Sequence, residues 1–322
     1  MQVYPYTFEP IYKDRIWGGQ NLRRLFGRAL PPGRQIGESW ELADLEQGVS
    51  LVANGPERGT TLTRLTQQLG VRLLGKAATD REGRFPLLLK FLDANDILSL
   101  QVHPDRQVAM EIGPEAAAKT ECWYVLESRG GFVYKGVKPG VTAEHFRQAI
   151  REDRVADLVR RVEVKAGDFH YLPAGTVHSL GAGVVVAEIQ TPSDTTYRVS
   201  DWGRGRELHV DQSMRSIRFE PAGDAPPGAA GNRLAATEFF DVALRQLSAG
   251  ESAGAPLGVC TALMILKGAA AVVHDAPVEQ VVRLRAGRTV LLPAALAGPT
   301  VRTKAGCRYL QITLPGAGAG ES

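Results

Sequence analysis

Apolar residues recur at every second position, or run almost unbroken, in five short segments bounded by turn residues: ESWELA (38–43), PLLLKFLDA (86–94), ILSLQVH (97–103), ECWYVLE (121–127) and VVVAEIQ (184–190). A period of two belongs to a strand with one buried face, and an unbroken apolar run of this length to a strand buried on both. Three longer stretches, 62–74, 105–119 and 142–162, show the three-to-four spacing of an amphipathic helix, with Thr142 as an N-cap and Glu144 and Glu152 set among basic neighbours. The pattern predicts a mainly β protein with a few helices decorating its N-terminal half. A polar, Gly/Pro/Ala-rich passage, EPAGDAPPGAAGNRL (220–234), reads as a linker and divides the chain into 1–219 and 220–322.

Composition supports this picture without redirecting it. The 322 residues fit roughly two domains at about 150 residues each. The 35 glycines and 19 prolines are spread along the chain, as many short strands require. A net charge of +3 without any long Lys/Arg block gives no support to nucleic-acid binding. The start, MQVYPYTFEP, has no basic stretch followed by an apolar core, and nowhere do about 18 apolar residues run together, so a cytoplasmic protein is expected, with no membrane partner. Cys122, Cys260 and Cys307 are widely spaced and form no C-x-x-C pair, so they are read as reduced, mostly buried thiols.

An internal echo suggests two related halves. The segment KAGDFHYLPAGTVH (165–178) aligns with RAGRTVLLPAALAG (285–298), and ECWYVLESRGG (121–131) with TALMILKGAAA (261–271). His178 then falls opposite Gly298, and Glu121 opposite Thr261. Candidate site residues of the first half are therefore missing from the second.

Chemistry concentrates in two places. Gly167 to His178 fits G-x-x-x-x-x-P-x-G-x-x-H, which resembles the second motif of the cupin superfamily; the alternative is a hairpin carrying a chance histidine. In the run LSLQVHPDR (98–106), Gln101 and His103 are two apart and project to one face of a strand, where a first cupin motif has two histidines. Imidazole and amide oxygen are both metal donors, and the carboxylate of Glu121 would neutralise charge, a set that suits zinc but accepts Co, Mn, Fe or Ni. The cupin likeness implies two cupin-like β-barrel (jelly-roll) domains, the first metal-binding and the second degenerate.

Glu121 follows His103 by eighteen residues, a longer gap than in the usual cupin motif. Together with IWGG (16–19), GESWEL (37–42), PLLLKFLDANDILSLQVHPD (86–105), KTECWYVL (119–126), GDFHYLPAGTVHSLGAGVVVAEIQTPSDTTYRVSDWGR (167–204) and LHVDQ (208–212), this spacing closely resembles the short bacterial type I mannose-6-phosphate isomerases. The resemblance is strong over residues 5 to 215. It implies an aldose–ketose isomerase interconverting mannose 6-phosphate and fructose 6-phosphate through an enediolate, with one zinc ion on Gln101, His103, Glu121 and His178.

Further roles are implied residue by residue. Arg198 matches the family's active-site arginine, for binding oxyanion charge or positioning substrate, and Asp194 could orient it or contact substrate. Glu188 becomes a candidate general acid or base. Lys119 would shuttle a proton or stabilise charge, unless it is a solvated helix terminus. Ser99 and Lys90 match the phosphate end of the site; Lys90, inside LLLKFL, needs either a phosphate or a protein carboxylate. Trp17 and Trp40 wall the pocket or pack the core. Leu180 stands where longer relatives carry a tyrosine, so no tyrosine role carries over, and His145, His170, His209 and His274 are read as surface or hydrogen-bonded. The expected partner is a small-molecule sugar phosphate and the expected state a monomer or weak homodimer. Two rivals remain: an isomerase of another sugar phosphate, and a non-catalytic metal-bearing sugar-binding or regulatory cupin.

Overall fold

The computed structural model describes residues 1–220, 225–274 and 280–315; the passage expected as a linker lies partly outside them, at 221–224. The fold is mainly β. Six antiparallel strands form one sheet in the order Phe169–Leu172, Glu121–Ser128, Val184–Gln190, Leu88–Ala94, Ile36–Leu42, Ile11–Gly19. A second sheet of five faces it, in the order Val159–Glu163, Phe132–Val137, His178–Leu180, Leu100–Val102, Tyr197–Ser200.

The near-continuous apolar runs find their reason in this stacking. Leu92, Val125, Leu172 and Val186 point from the six-stranded sheet toward Val133 and Leu180 of the five-stranded one, forming one core. On alternate positions Leu89, Phe91, Cys122, Tyr124, Ala187 and Ile189 point the other way, into a second core shared with Val242, Ala262, Met264, Leu310 and Ile312 of the C-terminal half. Both faces of the sheet are thus covered, and any polar residue on the inner face is there against the hydrophobic gradient.

The C-terminal half repeats the arrangement. Its strands Thr289–Leu292, Thr261–His274, Cys307–Thr313 and Asp241–Leu247 lie in sequence across one sheet, as Phe169–Leu172, Glu121–Ser128, Val184–Gln190 and Leu88–Ala94 do in the first. The register repeats too: Leu172 pairs with Glu121, and Leu292 with Thr261. The echo seen in the sequence is therefore structural. Tyr6–Thr7, at the chain's start, pairs with Thr289–Leu292 and so belongs to the C-terminal sheet.

The helices are shorter than their patterns suggested. The stretch 62–74 divides into Leu62–Leu69 and Val71–Leu74 at Gly70, whose φ of +49° an L-residue rarely adopts. The helix expected over 105–119 spans only Arg106–Ile112, because Gly113 and Pro114 follow. In 142–162, Thr142 caps Ala143–Arg151 by accepting from the His145 N–H, but the chain then turns at Asp153 and enters the strand Val159–Glu163. The helices Asn21–Phe26 and Val210–Ser216 escaped notice, being too short to display a period. Cys122, Cys260 and Cys307 are buried free thiols. Among the described residues no helix is long and apolar enough to cross a membrane.

Candidate active site

Between the two N-terminal sheets lies a cleft of about 380 Å³, a volume suited to a small ligand. Its walls include Trp17, Leu92, Leu98 and Trp123, and its polar groups come from Lys90, Ser99, Gln101, Lys119, Glu188, Asp194 and Arg198. Strand geometry explains this gathering. Glu188 pairs across the sheet with Lys90 on one side and Trp123 on the other, while Gln101 pairs with both His178 and Arg198 in the facing sheet.

At one end His103, Glu121 and His178 bring one donor atom each to within 4.8 Å of one another, all buried. Each imidazole has its Nδ1 2.8 Å from a backbone carbonyl, Thr195 O for His103 and Thr176 O for His178. A carbonyl only accepts, so the proton sits on Nδ1 and the Nε2 lone pairs are left facing inward. Glu121 Oε1 is 3.2 Å from His178 Nε2, and Oε2 is 3.6 Å from His103 Nε2 and 2.8 Å from Lys119 Nζ. Even so, His103 Nε2 and both carboxylate oxygens receive no well-directed hydrogen bond. Buried polar atoms are rarely left so, and these converge on a point where a cation would satisfy them. Electrostatics agree with that fit. Burial drives the His103 pKa down to about 3, keeping the ring a neutral donor; burial alone would raise Glu121, but the Lys119 ammonium above all holds it well below the usual carboxylate range. Gln101 adjoins the group, its amide nitrogen 3.3 Å from His178 Nε2; turning the amide over exchanges that nitrogen for the oxygen a metal would need.

Elsewhere in the cleft most charges are paired, Arg198 and Asp194 being the exceptions among the described residues. Lys90, 4% exposed, lies 3.1 Å from Glu188 and 3.6 Å from Glu38. Glu188 accepts the Trp123 indole N–H at 2.9 Å on Oε1, while Oε2, the oxygen nearest Lys90, receives no well-directed hydrogen bond. Burial raises the Glu188 pKa, and the opposing pull of Lys90 does not cancel it. Arg198 makes no ion pair among the described residues: one guanidinium nitrogen donates to Glu207 O and the Nε is unpartnered.

Comparison with known proteins accords with this geometry. Residues 6–129 match the model of the catalytic domain of type I phosphomannose isomerases. The mannose-6-phosphate isomerase of Streptococcus mutans is 39% identical over 246 residues, spanning 73% of this chain and 76% of the relative. The chain belongs to the type I phosphomannose isomerase family. The crystal structure of mannose 6-phosphate isomerase from Bacillus subtilis superposes with a TM-score of 0.85 at 28% identity, over 96% of this chain and 99% of that one. A zinc-bound holo mannose 6-phosphate isomerase has the same fold, with a TM-score of 0.79 at 17% identity over 96% of this chain and 99% of that one.

The candidate site residues read from the sequence of this family member all lie in the cleft or at its floor, but some have other neighbours than expected. Lys90 meets carboxylates, the second of the two partners its burial demanded. Lys119 is 4% exposed and lies outside any helix, its N–H donating to Pro104 O, so it is no solvated helix terminus. Asp194 forms no ion pair with Arg198 among the described residues; Arg198 is held instead by Glu207 O and by His209, whose Nδ1 accepts its backbone N–H at 3.1 Å. Ser99 donates to Gln101 Oε1 at 3.3 Å. Trp17 walls the cleft, whereas Trp40 is fully buried. Reading from the sequence missed Arg15, Glu38, Thr196 and Arg206, which also line the cleft. Only the GESWEL run hinted at Glu38, by setting a carboxylate in a strand pattern.

Proposed function

We propose that this chain is a zinc-dependent mannose-6-phosphate isomerase, interconverting mannose 6-phosphate and fructose 6-phosphate through an enediolate. The observation that carries the reading is the convergence of two imidazole Nε2 atoms and a buried carboxylate without a well-directed hydrogen bond at the floor of a cleft holding Glu188, Lys119 and Arg198. His103, Glu121 and His178, with Gln101 once its amide is turned, would hold one ion; bound there, zinc supplies Lewis-acid stabilisation of negative charge on the sugar oxygens.

The residues divide the remaining work. Isomerisation of the open-chain aldose moves a proton from C2 to C1 while the C2 hydroxyl proton passes to O1, leaving the ketone at C2. Glu188 is the general base we assign to the carbon proton. Its Oε1 is fixed by Trp123, its Oε2 faces Lys90 at 3.1 Å, and its raised pKa makes it a stronger base than an exposed carboxylate. Lys119, beside Glu121, stabilises developing oxygen charge or carries the hydroxyl proton. Arg198 offers uncompensated positive charge to an anionic group of the substrate. Asp194 and Ser99 are assigned substrate contacts at the rim.

The test is fructose 6-phosphate formation from mannose 6-phosphate by purified protein, before and after chelation and after zinc add-back, with Arg198→Ala alongside. Turnover should vanish on chelation, return with zinc, and fall at least about 100-fold in the variant. Circular dichroism of the chelated protein should stay native, because the cores do not include the ligands. Full activity in metal-free protein would refute the mechanism.

A further inference from the structure

The inner face of the six-stranded sheet buries two carboxylates around one ammonium, where a fold that only had to neutralise Lys90 would need one. Trp40 pairs across the sheet with Lys90, and Lys90 with Glu188, so Glu38, two residues from Trp40, and Glu188 stand on the same face on either side of the lysine. Lys90 Nζ lies 3.1 Å from Glu188 Oε2, 3.6 Å from Glu38 Oε2 and 5.3 Å from the centre of the Trp40 ring. An extra buried carboxylate is costly unless it is paired in its turn. Glu38 is so paired: its Oε2 accepts the Trp40 indole N–H at 2.7 Å, and its Oε1 accepts from Arg15 Nε at 2.5 Å.

Arg15 comes from the stretch 15–18, which leaves the ladder where Asp14 and Gly19 both pair with Ile36. Its side chain lines the cleft and is 32% exposed, so water screens its direct field on Glu188. The stronger path from Arg15 to Glu188 therefore runs through Glu38 and Lys90, along charges that alternate in sign. The two carboxylates are left unequal. Glu38 has two donors besides Lys90, whereas Glu188 has the Trp123 indole N–H and its share of the lysine. Burial sets Glu188 above its ordinary value, and Lys90 is the strongest counterweight. Glu121, on the other neighbouring strand, and Lys119, just before it, act on Glu188 in opposite senses. Asp194, Arg198 and Arg206 line the rest of the cleft, with His103 and His178 at its floor.

We propose that Arg15 and Glu38 are positioning residues: together they fix how Lys90 is shared between Glu38 and Glu188, and thereby set the strength of Glu188 as a base. The proposal rests on the isomerase reading for its effect on turnover, but not for the charge relay itself. Without Arg15, Glu38 draws more on Lys90, which leaves Glu188 less compensated and readier to hold a proton. A neutral residue at 38 gives Lys90 wholly to Glu188 and makes it a weaker base. Because Arg15 acts through Glu38, its removal has no further effect once residue 38 is neutral.

The experiment compares wild type, Arg15→Met, Arg15→Lys, Glu38→Gln and the double variant Arg15→Met with Glu38→Gln, each loaded with zinc and checked for native circular dichroism. Two readouts are taken. One is the pH profile of kcat and KM for mannose 6-phosphate; the other is the titration of the Glu188 carboxyl by NMR of protein labelled with carbon-13 at its glutamate carboxyls, assigned with Glu188→Gln. In Arg15→Met the titration and the acid limb of kcat should both move to higher pH, kcat below the limb falling about 3- to 30-fold while its plateau and KM stay within about twofold. In Glu38→Gln both should move to lower pH, and the plateau should fall about 3- to 30-fold, as a weaker base requires. The double variant should match Glu38→Gln within about twofold, and Arg15→Lys should match wild type as closely. A KM raised about tenfold or more in Arg15→Met with the acid limb unmoved would make Arg15 a substrate contact and overturn the relay. Additive effects in the double variant, or shifts of the same sign in the two single variants, would overturn it too. Should Glu38→Gln fail to fold, the Arg15 variants decide. If wild type does not isomerise mannose 6-phosphate, the isomerase reading falls, and the NMR titrations alone uphold or overturn the relay.

Discussion

Glu38 shows how a single buried charge can be held on the inner face of a sheet. Burial alone would raise its carboxyl above the ordinary 4.5, but Lys90, Arg15 and the Trp40 indole N–H outweigh it and bring the pKa to about 2. A carboxylate depressed in the folded state contributes stability above its unfolded pKa, and loses it as pH falls through the folded value. The window therefore runs from about 4.5 down to about 2. Glu38→Gln should be less stable by on the order of 3 kcal/mol at pH 7, because Lys90 loses one partner in a buried site. Its urea midpoint should also fall less steeply than the wild type's as pH is lowered through that window. Parallel curves would mean that the Glu38 charge is not what the fold stabilises. Glu188, only one cation away, is pushed in the opposite direction, because Glu121 adds to its burial while Lys90 is shared.

Among elements, the first strand of the six-stranded sheet does more than its sequence suggests. Asp14 and Gly19 both pair with Ile36, so residues 15–18 bulge out of the ladder and carry Arg15 and Trp17 into the cleft. The bulge closes over Gly37. A Cβ there would lie 2.5 Å from the Arg15 Cβ and 2.6 Å from the Trp17 ring, too close for either to stay. Gly37→Ala should cost about 1–3 kcal/mol of stability, as overpacking does, and lower kcat/KM at least about tenfold by displacing that wall. Wild-type kinetics in a destabilised variant would show that the bulge does not shape the working cleft. This element also marks the limit of what the sequence disclosed. Gln101 and His103 were legible because a period of two is local, and His178 because its turn has a recognisable Gly-Pro-Gly spacing. The meeting of Glu38, Lys90 and Glu188 depends on register between strands about 50 and about 100 residues apart, which no local pattern encodes. The helix ends were misjudged for a related reason: apolar spacing continued past Gly113 and Asp153, where the backbone could not.

At the scale of the molecule, we propose the division into 1–219 and 220–322, with two qualifications that bear on stability. Tyr6–Thr7 adds its strand to the C-terminal sheet, and Arg28, bonded twice to Glu41 at 2.8 Å, also donates to Gly287 O across the same boundary. Between these stitches lies a core built from both halves, in which Phe91, Tyr124 and Ile189 meet Phe240, Met264 and Ile312. Neither half could lose the other without exposing that face to water, so the six-stranded sheet, which carries Glu121 of the proposed metal site, depends on the C-terminal sheet. All four tryptophans, Trp17, Trp40, Trp123 and Trp202, lie in the N-terminal half, so their fluorescence reports that half alone while far-ultraviolet circular dichroism reports both. The two signals should give coincident denaturant transitions in the zinc-free protein. A truncation ending at 219 should fail to show a cooperative transition. Separate midpoints for the two signals, or a cooperatively folded truncation, would mean that the C-terminal sheet is an appendage; coincidence would make it the structural support on which the inner face of the six-stranded sheet can keep Glu38, Lys90, Glu121 and Glu188 buried together.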